Sequence, residues 1–274
     1  MNPYSEIDLS GRFDLHVHSA PDLRPRKLDD IDLARQAASR GMRGILLKSH
    51  WTLTADRAYL TQKVVPNIQV YGGLVLNHSV GGFNPAAVEA ALGMGAAEIW
   101  MPTISAAGHG TGGLSIYYDG EIQANIFTIL KLIAEKDAIL GTGHISPPEI
   151  MALVPAAREI GVRKILITHP EEPPVKMPVI LQEELRDRFD VLFERCLVTT
   201  TFGGGTLPFT ELADIISRVG SDTTILSTDF GRAQDIFPVD ALACYIAHLQ
   251  ESGFDQVAID QMSRHNPAQI LGLP

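Results

Sequence analysis

One histidine pair, one lysine–histidine pair and a set of single polar residues carry the chemistry this sequence can do. His16 and His18 close the segment Phe13-Asp14-Leu15-His16-Val17-His18, and Lys48 and His50 repeat the same spacing at the end of Gly44-Ile45-Leu46-Leu47-Lys48-Ser49-His50. In a strand, residues two apart point to the same side, so each pair can address one ligand. Asn77 and His78 follow the third apolar run, His144 the fifth, His169 the sixth and Asp229 the eighth. Neutral imidazole is the commonest metal ligand, and a catalytic zinc keeps an open position for water. A single histidine is more often a satisfied core or surface residue. Four apolar runs closed by histidine, together with Asp229, are hard to reconcile with a core, and they point to a divalent metal. His109, His248 and His265 lie away from such run ends.

For these residues to converge they must share one end of one sheet. Short β-rich apolar runs alternate with helical stretches along the whole chain. The runs are read at 13–18, 44–50, 68–77, 98–104, 138–144, 164–169, 197–202 and 223–229. The helices are read at about 29–40, 55–65, from Asn84-Pro85 onward, 123–135, 148–160, 179–195, 210–219, 239–251 and 255–262. Asn84 suits an N-cap with Pro85 in the first turn, and Gly41 is a helix stop. Parallel strands buried on both faces read as continuous apolar runs, as these do. About eight strand–helix units in this length predict a single (β/α)8 TIM barrel over residues 1–274, with its site at the C-terminal strand ends. An open doubly wound sheet and a seven-stranded barrel are the alternatives. The Gly-rich segment 105–120, with His109, Tyr117 and Tyr118, is long for a connection; it reads equally as a lid or a solvated loop.

The composition, 45% hydrophobic and 20% charged, is that of a globular chain rather than a disordered one. A net charge of -10 argues against a nucleic-acid partner, yet leaves an anionic substrate open, because a metal reverses the local sign. Cys196 and Cys244 give no disulfide framework and no zinc-finger spacing, and they read as buried thiols. Residues 1–10 lack the features of a signal peptide, and no apolar run approaches the ~20 residues of a membrane span. The expectation is a cytoplasmic protein with a small-molecule substrate, no membrane partner, and an inclination to homo-oligomerise.

At this point the residues resemble the metal-dependent amidohydrolase superfamily, including phosphotriesterase-like enzymes. Asp14-Leu15-His16-Val17-His18 looks like that family's first-strand metal motif. His144, His169 and Asp229 look like its ligands on strands five, six and eight, and Asn266-Pro267-Ala268-Gln269-Ile270-Leu271-Gly272 resembles its closing helix. A second resemblance is to the polymerase-and-histidinol-phosphatase family, which His50 fits; that family's third-strand glutamate is missing, since Leu74-Val75-Leu76-Asn77 stands there. Many binuclear amidohydrolases bridge their metals with a carboxylated lysine or a glutamate on strand four. Here strand four ends Trp100-Met101-Pro102-Thr103, with Glu98 early in the run. Lys48 could be a relocated bridge, a cation for a substrate anion, or a barrel lysine paired with an acid.

The resemblance implies roles. His16, His18 and Asp229 would hold a first metal, with His144 and His169 holding a second or shaping a mononuclear site, and His50 as a further ligand. Zinc suits this donor set, one or two ions per chain; Mn2+, Fe2+ or Ni2+ could serve. Asp229 would move the proton of the attacking water. Arg24, Arg26 and Arg232, with His109 and Tyr117, are the candidates for substrate contact, since arginine captures carboxylate or phosphate in a bidentate way. Gly203-Gly204-Gly205 is a weak phosphate signal. The implied reaction is hydrolysis of an amide, lactone or ester; phosphoester hydrolysis and decarboxylation are the competing classes, and a non-catalytic metal- or ligand-binding protein is the last.

Overall fold

The computed structural model describes residues 4–173 and 175–274; the first three residues of the polar N-terminus lie outside it. Eight strands form one sheet in sequence order: β1 (Phe13–Val17), β2 (Gly44–Leu47), β3 (Gln69–Val75), β4 (Glu98–Trp100), β5 (Ile139–Gly141), β6 (Lys164–Thr168), β7 (Leu192–Cys196) and β8 (Thr224–Ser227). A parallel bridge from Val17 to Phe230 joins the last strand to the first. With helices between the strands, this is the (β/α)8 barrel the alternating runs predict.

The chain divides into two compact units, one of Met1–Lys48, Asp56–Tyr71 and Glu194–Pro274, the other of Ser49–Ala55 and Gly72–Phe193. In the first, β1 and β2 pair from Phe13↔Gly44 onward. Its core gathers Leu33, Ala34 and Ala37 of α1 (Asp30–Ser39), Leu212 and Ile216 of α7 (Phe209–Val219), and Leu242, Tyr245 and Ile246 of α8 (Pro238–Glu251). These spacings of three and four place the apolar side chains on one helical face. Two polar anchors tie the C-terminal segment down. The buried Arg12 pairs with Asp260 at 3.0 Å, and Asn266 Nδ2 donates to the carbonyls of Thr224 (2.6 Å) and Ser221 (2.9 Å).

In the second unit, β4, β5 and β6 run in register through Trp100, Gly141 and Leu166. α3 (Pro85–Gly93) begins as its sequence dictates: the Asn84 side chain accepts from the amides of Ala86 and Ala87, with Pro85 in the first turn. α4 (Ala124–Lys136) buries Ile126, Ile129, Leu130 and Ile133 on one face. α5 (Pro147–Ile160) starts with a capping box between Ser146 and Glu149. Glu149 Oε1 also accepts from Ser115 Oγ (2.6 Å) and the Ile116 amide (2.9 Å). It thereby ties down segment 105–120, which contains a 3-10 turn at Ala107–His109 and leads into a small hairpin, Tyr117–Tyr118 with Glu121–Ile122.

One assignment is corrected. The helical reading of 179–195 swallows a strand: α6 (Val179–Phe189) stops at Asp190, whose φ of 47° is left-handed, and β7 follows at once. Residues 197–202, read as the seventh strand, instead form 3-10 turns at Leu197–Thr199 and Thr201–Gly203. The charged pair Glu194-Arg195 gives β7 the look of a solvated helix end, but both side chains are fully buried. Among the described residues no helix is long and apolar enough to cross a membrane.

Candidate metal centre

The first unit concentrates titratable groups at the carboxyl ends of β1, β7 and β8. The register of β1 against the segment after β8 is set by two backbone bonds, His18 N to Phe230 O at 2.9 Å and Asp229 N to His16 O at 2.8 Å. They hold Asp229 at φ 54°, a left-handed conformation that costs of order 1–3 kcal/mol and persists only where its surroundings impose it. Gly231 allows the close approach that follows: at φ 134°, a Cβ on it would lie 1.9 Å from the His18 carbonyl oxygen.

The result is a buried cluster. His16 Nε2 lies 3.1 Å and His18 Nε2 3.0 Å from Asp229 Oδ1. One donor atom from each of the three residues lies within 4.8 Å of the others. Tetrahedral zinc with bonds of about 2 Å spaces its ligand atoms roughly 3.3 Å apart, so the trio fits a divalent ion in both donor chemistry and separation. Lys48 Nζ sits 3.0 Å from His16 Nε2, itself buried. On the other side of the ring, His16 Nδ1 meets Glu194 Oε2 at 2.8 Å, and Cys196 Sγ lies 3.6 Å away. His16, Glu194 and Cys196 make a second trio close enough to hold an ion.

The electrostatics follow from burial opposed by charge. Burial alone depresses His16, but the Asp229 and Glu194 carboxylates outweigh it and the Lys48 ammonium, raising its pKa to about 9. Burial dominates at His18, which falls to about 4 despite Asp229. Burial pushes Asp229 up, yet His16 and His18 hold it well below the carboxylate range. Asp14 is raised by burial to about 6 although it accepts from Thr228 and the His16 amide. Burial and the neighbouring carboxylates push the Cys196 thiol far up, so it stays protonated and weakly nucleophilic.

The second unit builds its own cluster from imidazoles. His109 Nε2 and His144 Nδ1 are 2.7 Å apart with stacked rings. The His144 and His169 ring centroids lie 4.8 Å apart, and those of His50 and His144 6.3 Å. His50 Nδ1 is 2.9 Å from Thr103 Oγ1, which also accepts from Asn77 Nδ2 at 2.8 Å. His169 is fully buried at a φ of 23°.

The structure thus brings His16, His18, Asp229 and Lys48 together, and His50, His109, His144 and His169 together. Arg26 is buried against Asp22 at 2.8 Å. Arg24 is exposed, and its amide donates to Asp22. Arg232 pairs with Asp235 at 3.0 Å and donates to the Gly203 carbonyl at 2.8 Å. Tyr117 lies in the small hairpin, half-buried. Sequence reasoning misses Glu194 on β7 because the helical reading of 179–195 covers that strand. It also misses the Asn77–Thr103 pair that seats His50. An i, i+2 pattern, Glu194 and Cys196, is the available signal.

A model of a family of unknown function, DUF6282, matches residues 11–194, well over half of the chain. No curated protein matches. Among solved structures, the phosphotriesterase homology protein from Escherichia coli, complexed with phosphate, is similar with a TM-score of 0.65 and 14% identity, covering 96% of this chain and 99% of that one. A lactonase from Listeria monocytogenes gives 0.64 and 13%, covering 96% and 95%. A 2,6-dihydroxybenzoate decarboxylase gives 0.61 and 13%, covering 96% and 100%. At these identities the likeness is one of fold. The chain belongs to the family of unknown function DUF6282 and folds as a (β/α)8 barrel.

Proposed function

We propose that this protein is a metal-dependent hydrolase acting on an amide, lactone or ester bond of a small molecule. The observation that carries the reading is the His16–His18–Asp229 trio, two imidazoles and a carboxylate converging at one end of β1 and β8. A divalent ion held there, zinc by the donor set, would polarise the bond under attack and lower the pKa of water to near 7. Asp229, kept anionic beside two imidazoles, is positioned to accept the proton of the attacking water and pass it to the leaving group. Lys48, at 3.0 Å from His16, offers an ammonium to a substrate oxygen or carboxylate. Arg26, whose charge acts on His18 and which pairs with Asp22, is the arginine proposed to meet an anionic substrate group. The imidazole cluster of the second unit is proposed to hold a second ion.

Decarboxylation is the second reading. A decarboxylase shares the barrel, and the buried Lys48 cation beside the trio suits a substrate carboxylate. Elemental analysis of the purified protein, beside the variant carrying both His16→Ala and His18→Ala, tests the centre. About one or two metals per chain, lost in the variant, is expected; a native protein that takes up neither zinc nor manganese would refute it. Turnover in 18O-labelled water separates the reactions, because hydrolysis places the label in the product acid, whereas decarboxylation forms carbon dioxide and leaves no 18O in the remaining organic product.

A further inference from the structure

We infer that Glu194 is a positioning residue for His16: from β7 it fixes the imidazole so that Nε2, and not Nδ1, serves the metal centre. The inference rests on the metal-centre reading above and deepens it. His16 has two nitrogens, and each lies in a group of side chains able to ligate: Nε2 with His18 and Asp229, Nδ1 with Glu194 and Cys196. A neutral imidazole can present only one lone pair, and the hydrogen bond made by the other nitrogen decides which.

The geometry on the Nδ1 side is that of a fixed acceptor. Glu194 Oε2 stands 2.8 Å from Nδ1, inside hydrogen-bond range, whereas Cys196 Sγ is at 3.6 Å. The second oxygen of Glu194 is held as well, because Ser227 Oγ donates to Oε1 at 2.9 Å. Glu194, His16 and Ser227 are all buried to within 1% of complete exclusion, so solvent cannot replace these bonds. Adjacent strands β7 and β8 supply Glu194 and Ser227, which makes the arm as rigid as the sheet. With Nδ1–H directed to Glu194, Nε2 is the nitrogen left to face the group where Asp229 Oδ1 lies 3.1 Å and Lys48 Nζ 3.0 Å away. The nearby thiol, a soft ligand that would otherwise compete for zinc, is left outside the centre.

The test is zinc affinity, measured by competition with a chromophoric chelator, for the wild type and the variants Glu194→Ala, Glu194→Gln, Ser227→Ala and Cys196→Ala. Glu194→Ala is expected to bind zinc about 10–100-fold more weakly. Glu194→Gln, whose amide oxygen still accepts from Nδ1, recovers most of that loss. Cys196→Ala binds as the wild type does. Cobalt(II) in the wild-type site gives no thiolate-to-metal charge-transfer band. Should Glu194→Ala fail to fold, Ser227→Ala, which releases only the far oxygen, is expected to weaken zinc several-fold. Equal affinity in wild type and the Glu194 variants, or in Ser227→Ala where that variant must stand alone, overturns the inference while leaving the metal centre intact. A thiolate band, or zinc lost in Cys196→Ala, also overturns it, since the ion then sits on the Nδ1 side. A wild type that takes up no zinc defeats the metal-centre reading and this inference together.

Discussion

At the scale of single residues, function turns on how few charges balance in a dry place. Asp229 and Glu194 are opposed by Lys48 and by His16, whose pKa the two carboxylates raise to about 9 against burial and the lysine. An entering ion must therefore displace a proton at neutral pH. Zinc binding at pH 7 is expected to release about one proton from this ring, and affinity to rise by up to about tenfold per pH unit until pH approaches 9. The sign is fixed by the raised pKa: below it the proton competes, above it the competition ends. Titration calorimetry in buffers of different ionisation enthalpy measures the release; a wild-type affinity flat between pH 6 and 9 would contradict the charged His16. Asp229 carries the catalytic prediction. Asp229→Asn keeps the size of the side chain and an oxygen, but not the base, and with zinc supplied to saturation should lower kcat by about 10²–10⁴-fold with its circular-dichroism spectrum unchanged. Retained turnover in a folded variant would remove Asp229 from proton transfer.

At the scale of elements, the centre depends on how the end of β1 meets the segment after β8. Gly231 is where this meeting is tightest, since any Cβ would collide with the His18 carbonyl and φ is 134°. Gly231→Ala should cost at least about 2 kcal/mol and weaken zinc more than a substitution of equal destabilising effect far from β1, because it displaces a ligand's own backbone. Chemical denaturation alongside zinc competition separates the two effects, and an alanine variant matching the wild type in both would show the contact to be slack. Much of this level was legible beforehand. The i, i+2 spacing of His16 and His18 gave a shared face, and the run ends placed Asp229, His144 and His169 on strands eight, five and six. What escaped was β7. Its residues Phe193-Glu194-Arg195-Cys196 are all buried and Leu192 is half-buried, so the alternation that marks a half-exposed strand is absent, and only Asp190 and Val191 separate the preceding α6 from the strand. Glu194 was lost with it. The tether of segment 105–120 to Glu149 was equally hidden, because a hydrogen bond across thirty-odd residues leaves no local pattern.

At the scale of the whole molecule, a net charge of -10 favours attraction of a divalent cation and disfavours a polyanionic partner. The same scale shows how the centre couples to folding. The unfolded chain scatters His16, His18 and Asp229 across more than two hundred residues, so an ion that binds the trio binds the native state far better than the unfolded one. Zinc at a free concentration 100-fold above its Kd then adds about 2.7 kcal/mol to stability, roughly 5 °C or more in Tm for a chain of this size. Removal of metal with a chelator should lower Tm by that amount, and readdition should restore it. The His16→Ala/His18→Ala variant should melt at one temperature with or without zinc. Hydrogen exchange locates the effect: metal should slow exchange at the amides of His18 and Asp229, which donate to the Phe230 and His16 carbonyls that seam β1 to the segment after β8. Protection gained instead around His144 and His169, with those two amides unchanged, would move the primary metal site to the imidazole cluster of the second unit.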